Sequence, residues 1–194
     1  MKGKLLPLRR VAGDAAEMSD DALLAASAVG ESAALGALFD RYHARIHRFL
    51  GRLSGTDRRD LDDLVQATFL EVRRSAARFG GRASVKTWIF GIAVNVVRHH
   101  VRGEMRRRAM NQRFAELPAG LAAAPDTDAE QRQLLARVAA ALAELPHDLK
   151  VALVMCDLED IPGAEAARVL GVREGTLWRR LHEARKRLRA AVKR

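Results

Sequence analysis

Between residues 161 and 188 the chain reads IPGAEAARVLGVREGTLWRRLHEARKRL. Pro162 suits the first position of a helix, where no backbone donor is needed, and the segment that follows it is short, ending at Leu170. Gly171 tolerates a left-handed backbone at a tight turn, and a longer helix is predicted to begin near Glu174. A short helix, a glycine turn and a second helix are typical of a helix-turn-helix.

The spacing of residues in this stretch supports that interpretation. Ala167, Gly171 and Leu177 lie four and six residues apart, which places a small residue where two helices touch, a glycine in the turn and an apolar anchor in the second helix. Successive residues of a helix are about 100° apart, so the second helix has two faces. Its inward face is predicted to hold Leu177, Leu181, Ala184 and Leu188, and its outward face Arg179, His182, Glu183 and Lys186.

Positive charge is concentrated in the same part of the chain. From Gly171 to Arg194 there are nine Lys and Arg residues and two Glu, a net charge of +7. The whole chain has 34 Lys and Arg against 24 Asp and Glu, a net charge of +10, which favours a polyanionic partner. A merely solvated basic helix remains an alternative, but charge and turn coincide here, which favours DNA in a major groove.

Composition excludes several classes of protein. With 194 residues, 48% of them apolar, the chain can bury a core, and wholesale disorder is excluded. Cys156 is the only cysteine, so neither an internal disulfide nor a four-cysteine zinc site is available, and a reducing cytosol is expected. Apolar runs are far shorter than the roughly 20 residues of a membrane span, and Met1 to Arg10 lacks a secretion signal. We therefore expect a soluble, cytoplasmic protein without membrane insertion.

The rest of the sequence predicts an all-α fold of two small helical domains joined by a flexible linker. After a loose basic N-terminus (residues 1–18), Ser19 is predicted to cap a short helix from Asp20 to about Val29. Three longer amphipathic helices follow and close one core over residues 19–113. Their apolar stripes are Leu35 to Leu53, ending near Ser54 and Gly55; Leu61, Leu64, Val65, Phe69 and Val72; and Val85, Trp88, Ile89, Ile92, Ala93, Val96 and Val97.

Residues 114–130 are rich in Ala, Pro, Gly, Thr and Asp without an apolar period, and are predicted to form the linker. The second unit, residues 131–194, begins with a helix whose apolar stripe ends before Pro146. That stripe contains Leu134, Leu135, Val138, Leu142 and Leu145. Leu149 to Met155 suits a short buried helix, and the helix-turn-helix follows.

Three stretches in this order resemble one family. They are DLVQATFL at residues 63–70, TWIFGIAVN at 87–95, and GTL at 175–177 followed by RLHEARK at 180–186. In sequence and spacing they are similar to the extracytoplasmic-function (ECF, group 4) sigma factors of bacterial RNA polymerase. The two units then look like a sigma-2 domain and a sigma-4 domain.

The resemblance implies that the third helix docks on the beta-prime subunit of core RNA polymerase. The residues implied are Asp60, Asp63, Leu64, Gln66 and Phe69. A purely structural role for the acids is also possible. Asp60, Asp62 and Asp63 lie near the start of a helix, where negative charge complements the helix dipole. The apolar members face either a core or a partner.

The resemblance also implies a minus-ten DNA surface on the fourth helix and the loop before it, where one base is held out of the stack. The residues implied are Phe79, Arg82, Lys86, Asn95, Arg98 and Arg102. Thr87 and Gly91 share the polar face of that helix and are expected to lie against DNA. Trp88 lies at the edge of the apolar face, which favours core packing over base stacking.

The helix-turn-helix would read the minus-thirty-five element. The residues implied are Arg173, Thr176, Arg179, Arg180, His182, Arg185 and Lys186. Arg179 is the expected base contact, and Arg173, Arg180, Arg185 and Lys186 are the expected phosphate contacts. The sequence departs from the family at Pro162-Gly163, where a capping Ser or Thr is usual, and at Trp178-Arg179, so its upstream preference is expected to be unusual.

The expected partners are the beta-prime and beta subunits of core RNA polymerase, promoter DNA and an anti-sigma factor, with a monomer outside such complexes. We expect no cofactor, no metal and no catalysis, because the sequence has no phosphate-binding glycine loop, zinc-ligand set or nucleophile with a base. Two alternatives are an independent helix-turn-helix regulator that binds duplex DNA as a dimer and, less favoured, an enzyme acting on nucleic acid.

Overall fold

The computed structural model of the chain describes residues 17–110 and 129–192, and all regular structure within them is helical. The α-helices of this part are α1 (Asp20–Ala28), α2 (Ser32–Ser54), α3 (Arg58–Ser75), α4 (Val85–Met110), α5 (Ala129–Ala143), α6 (His147–Leu153), α7 (Gly163–Leu170) and α8 (Glu174–Val192). A 3-10 turn (Ala76–Arg78) follows α3, and a π-helical turn (Val154–Leu158) continues α6. The predicted all-α fold is confirmed.

The helix ends follow local sequence signals. The Ser19 hydroxyl accepts a hydrogen bond from the Ala22 N–H at 3.2 Å, which caps α1 as predicted. Gly55 and Gly171 have φ angles of 63° and 67°, the left-handed conformation that glycine adopts without strain, and they end α2 and α7. Asp57 caps α3 by accepting from the Asp60 N–H at 2.9 Å.

Helices α1 to α4 enclose one core, which we call the core of the N-terminal unit (residues 17–110). Phe49 of α2 and Phe90 of α4 meet edge to face at its centre, with 4.8 Å between ring centroids, and neither is exposed. The other fully buried large side chains here are Leu23, Leu24, Leu38, Ile46, Leu50, Val72 and Ile89. The predicted closure of four helices on one core is confirmed.

The prediction for α4 was wrong in one respect. Thr87 and residues 89–94 are buried, although the sequence predicted that Thr87 and Gly91 lie on a polar face. The reason is tertiary: α1, α2 and α3 pack on one side of α4, and α7 packs on the other. Helix α7 covers Thr87 and Gly91 through Glu165 and Val169.

Helices α5 to α8 form the C-terminal unit (residues 129–192). Helix α8 packs against α5, α6 and α7. The predicted stripe of α5 is only partly buried, because Leu142 and Leu145 enter the core whereas Leu134 and Leu135 are each 46% exposed. Among the described helices α5 packs chiefly against α8, so no second neighbour covers the start of the stripe.

Two predicted boundaries differ slightly from those in the structure. Helix α5 already includes Ala129 and Glu130, which were predicted to end the linker. Helix α7 begins at Gly163, one residue after the predicted first position at Pro162. The rest of the linker and residues 1–16 lie outside the described residues. No helix in the described part is long and apolar enough to cross a membrane.

Candidate nucleic-acid and polymerase surfaces

Helix α8 has the two faces that the sequence predicted. Leu177, Leu181 and Ala184 are at most 1% exposed and pack inward. Arg173, Trp178, Arg179, His182 and Lys186 are exposed. The turn before the helix is held by a hydrogen bond from the Val172 N–H to the Ala167 carbonyl at 3.0 Å. The helix therefore presents an exposed cationic surface.

Two of the arginines predicted to contact phosphate, Arg180 and Arg185, instead form ion pairs with aspartates of the same unit. Arg185 donates to both carboxylate oxygens of Asp157, at 2.6 and 2.9 Å, and this hydrogen bonding raises the pKa of Arg185. Arg180 donates to Asp148. Arg173 and Lys186 remain exposed, whereas Thr176 is half-buried. The outward Glu183 pairs with Arg187 at 2.7 Å, which lowers the pKa of Glu183.

The two departures from the family pattern touch each other in the structure. The indole ring of Trp178 lies against Gly163, so a Cβ atom placed on Gly163 would be 2.6 Å from Cζ2 of the ring. The indole N–H donates to Glu174 at 3.0 Å, which holds the ring in this position. Glycine at the start of α7 thus makes room for tryptophan on α8, and the two helices of the helix-turn-helix are joined by this contact.

We expect Gly163→Ala to lower the free energy of unfolding of the C-terminal unit by about 1 kcal/mol, because overpacking outweighs the gain in helix propensity. In a Trp178→Ala background the same change should stabilise the unit by about 0.5 kcal/mol. Gly175→Ala is a matched control, since a Cβ at Gly175 meets nothing within 4 Å. Urea unfolding of the wild type, the two single variants and the double variant gives a double-mutant cycle, and additive effects of the two substitutions would contradict the contact between Gly163 and Trp178.

The loop between α3 and α4 and the neighbouring helices enclose a cleft of about 380 Å³. Phe79 and Trp88 line it with 5.2 Å between their ring centroids, and Arg82 lies beside them. Trp88 is half-buried, so it both packs on the core and faces the cleft. The C-terminal unit contributes Arg168 to the lining. The sequence did not predict Arg168, because only the fold brings α7 to this loop.

The other predicted minus-ten residues differ in their exposure. Asn95 and Arg102 are exposed, whereas Lys86 and Arg98 are half-buried. Burial lowers the pKa of Lys86, and the neighbouring Arg45 lowers it further. Arg98 lies 3.5 Å from the carboxylate of Asp148 in the C-terminal unit. Lys86 and Arg98 are thus in contact with the C-terminal unit, whereas Asn95 and Arg102 are exposed.

Helix α3 carries the predicted polymerase surface. Asp60, Asp63 and Gln66 are exposed along it. Leu64 and Phe69 are each 5% exposed and pack in the core, so their side chains are not part of the exposed surface. Leu70 is 46% exposed instead. The sequence offered no decisive signal for it, because adjacent residues of a helix can both be buried, as Phe49 and Leu50 are.

Within residues 17–110 and 129–192, no three His, Cys, Asp or Glu side chains are grouped so that they could hold a metal ion.

The two units also match known families in order along the chain. The family model described as Sigma-70 region 2 matches residues 38–107, and the one described as Sigma-70, region 4 matches residues 135–188.

The chain is 36% identical over 172 residues to the ECF RNA polymerase sigma factor SigM of Mycobacterium tuberculosis, covering 89% of this chain and 84% of that protein. The chain belongs to the ECF sigma factors of the sigma-70 family. Among solved structures, this sigma factor is similar to CnrH in complex with the cytosolic domain of CnrY, with a TM-score of 0.65, 26% identity and coverage of 93% of this chain and 98% of that one.

A second solved structure has the same fold. It is the sigma factor RpoE in complex with the anti-sigma factor NepR from Bartonella quintana, with a TM-score of 0.68, 20% identity and coverage of 80% of this chain and 94% of that one. The N-terminal unit of this sigma factor therefore corresponds to region 2 and its C-terminal unit to region 4.

Proposed function

We propose that this sigma factor binds core RNA polymerase and directs transcription initiation at promoters with minus-thirty-five and minus-ten elements. The observation that carries the proposal is that the chain matches region 2 and region 4 in order, with an exposed cationic helix in the region 4 unit. The two units bind separate stretches of one promoter. Held together on the polymerase, they gain affinity because the second unit binds at high effective concentration.

The C-terminal unit reads the upstream element through α8. Arg179 contacts a base edge in the major groove, because its exposed guanidinium can donate two hydrogen bonds to guanine. Arg173 and Lys186 contact phosphates, and His182 and Thr176 lie beside them. Arg180 and Arg185 contribute after exchanging their carboxylate partners for DNA.

The N-terminal unit holds the opened minus-ten strand and docks on the polymerase. The cleft lined by Phe79, Trp88 and Arg82 has the aromatic faces and cationic rim that an unstacked base requires. Asn95 and Arg98 continue this surface along α4. On α3, the polymerase contacts are Asp60, Asp63, Gln66 and the exposed Leu70, which face away from the core.

The sigma factor acts in the cytoplasm, without catalysis of its own, and the polymerase supplies the chemistry. Its partners are the beta-prime and beta subunits and promoter DNA. An anti-sigma factor is a further partner, as for the RpoE protein of the same fold. An independent helix-turn-helix regulator is not favoured, because such a regulator does not require region 2.

A gel-shift experiment with and without core polymerase distinguishes a sigma factor from an independent regulator. The purified chain alone should retard promoter duplex weakly and should have the solution mass of a monomer. Addition of core polymerase should give a stable complex that weakens steeply with salt, because phosphate contacts release counterions. Tight, polymerase-independent protection of a palindromic duplex by a dimer would contradict the proposal.

A further inference from the structure

Trp178 is a large apolar side chain on the cationic side of α8, and it is 47% exposed. Residues four positions apart lie on one side of a helix, so Trp178 shares its side with His182, which is exposed too. The next residue, Arg179, and Lys186 are exposed on the adjoining side. The tryptophan therefore lies among the side chains that are proposed to contact promoter DNA, and unlike them it carries no basic group.

Two contacts hold the ring of Trp178 in one position. Gly163, at the start of α7, has no side chain, and a Cβ atom placed there would lie 2.6 Å from Cζ2 and 2.9 Å from Cη2 of the ring. The indole N–H donates to Oε1 of Glu174, one turn earlier on α8, at 3.0 Å. A side chain that is already ordered loses little conformational freedom on binding, so more of its contact energy contributes to affinity.

Packing between α7 and α8 does not by itself account for a tryptophan at this position. Ala166 and Leu170 of α7 and Leu177 of α8 are at most 8% exposed and belong to one core. Stabilisation follows the apolar area removed from water, and about half of Trp178 remains in water. The exposed part of this side chain lies where a ligand of α8 can reach it.

The chemistry of the exposed indole restricts what it can recognise. The N–H is the only hydrogen-bonding group of the ring, and Glu174 already accepts from it, so the ring offers carbon atoms to a ligand. The net charge of +7 over residues 171–194 favours duplex DNA as that ligand. In the major groove the 5-methyl group of thymine is the apolar group that a base pair presents, and aromatic side chains contact it.

We propose that Trp178 is a specificity-determining residue that contacts the 5-methyl group of a thymine in the upstream element, beside the base pair that Arg179 contacts. The inference rests on the proposed function of α8. The two residues are adjacent in the chain and both are exposed, so their side chains reach neighbouring base pairs of one groove. At that position T·A is favoured over C·G, because cytosine has a hydrogen atom in place of the methyl group.

Deoxyuridine substitution tests this contact, because deoxyuridine pairs as thymidine does and lacks only the methyl group. The full chain is assembled with core polymerase, and a promoter is selected from a library. Each thymine of its upstream element is then replaced singly, and the dissociation constant of the labelled duplex is measured. One replacement, beside the pair on which Arg179→Ala acts, should weaken the wild-type complex about fourfold, the factor equivalent to burial of one methyl group.

Trp178→Ala should bind the thymine and deoxyuridine duplexes equally well. Gly163→Ala displaces the ring without removing it and should also reduce the difference between the two duplexes, which keeps the test valid if Trp178→Ala does not fold. Lys186→Ala is the matched control on α8. It should weaken both duplexes by the same factor and keep the fourfold difference between them, because it is proposed to contact phosphate.

A gain of binding gives the reciprocal measurement. With C·G at the same position, replacing cytosine by 5-methylcytosine should strengthen binding by the wild type and not by Trp178→Ala. A wild type indifferent to every deoxyuridine and to 5-methylcytosine, or a Trp178→Ala variant that keeps the fourfold difference, would overturn the inference. These results are compatible with promoter-specific transcription, whereas a chain that selects no promoter with core polymerase would reject the proposed function, and with it the inference.

Discussion

Replacing Phe49 with alanine is expected to lower the free energy of unfolding of the N-terminal unit by about 3 to 5 kcal/mol. Phe49 is fully buried and meets Phe90 edge to face, so its removal leaves a cavity between α2 and α4 and ends an aromatic pair. A loss of this size is comparable with the total stability of many small domains. At growth temperature most of the unit should therefore be unfolded.

Tryptophan fluorescence can measure this loss in one unit alone. The chain has two tryptophans, one in each unit, so a Trp178→Phe background leaves Trp88 to report on the N-terminal unit. Phe39→Ala is the matched control, because Phe39 is only half-buried, and it should cost clearly less. A Phe49→Ala variant with the same urea midpoint as Phe39→Ala would contradict the assigned core.

Replacing Arg179 with alanine is expected to lower transcription from the cognate promoter by about 10- to 100-fold. Arg179 is exposed on the outward face of α8, and a two-donor contact with guanine contributes about 1 to 3 kcal/mol of base discrimination. Arg179→Lys keeps the charge but not the planar pair of donors, so it should lose most of the same discrimination. The loss should be restricted to promoters with the preferred upstream base.

Lys186→Ala is the control for this prediction. Lys186 is also exposed on α8 but is proposed to contact phosphate, so its loss should weaken all promoters by a similar factor and reduce the dependence on salt. Transcription from a set of upstream elements mutated one base pair at a time measures both effects. An Arg179→Ala variant that weakens every promoter equally would mean that Arg179 contacts the DNA backbone.

Features fixed by neighbouring residues could be predicted from the sequence. The cap at Ser19, the turns at Gly55 and Gly171 and the inward face of α8 all depend on groups a few residues apart. The order of the helices and the two cores followed from apolar periodicity. The resemblance to ECF sigma factors rested on short motifs in the same segments, and the family matches confirm it.

Features that depend on distant residues could not be predicted. Burial of Thr87 and Gly91 requires α7, and Leu134 is exposed because few helices neighbour α5. The pairing of Arg185 with Asp157 joins residues 28 positions apart, which no local pattern reveals. The roles of the individual DNA and polymerase contacts stay predictions, since they depend on partners.

Run-off transcription with reconstituted core RNA polymerase and a promoter library tests the central claim most directly. The account predicts that the chain and the core enzyme together yield transcripts from a defined subset of promoters that share two spaced elements, whereas either component alone yields none from them. A chain that neither associates with the core enzyme nor changes which promoters it uses would contradict the account.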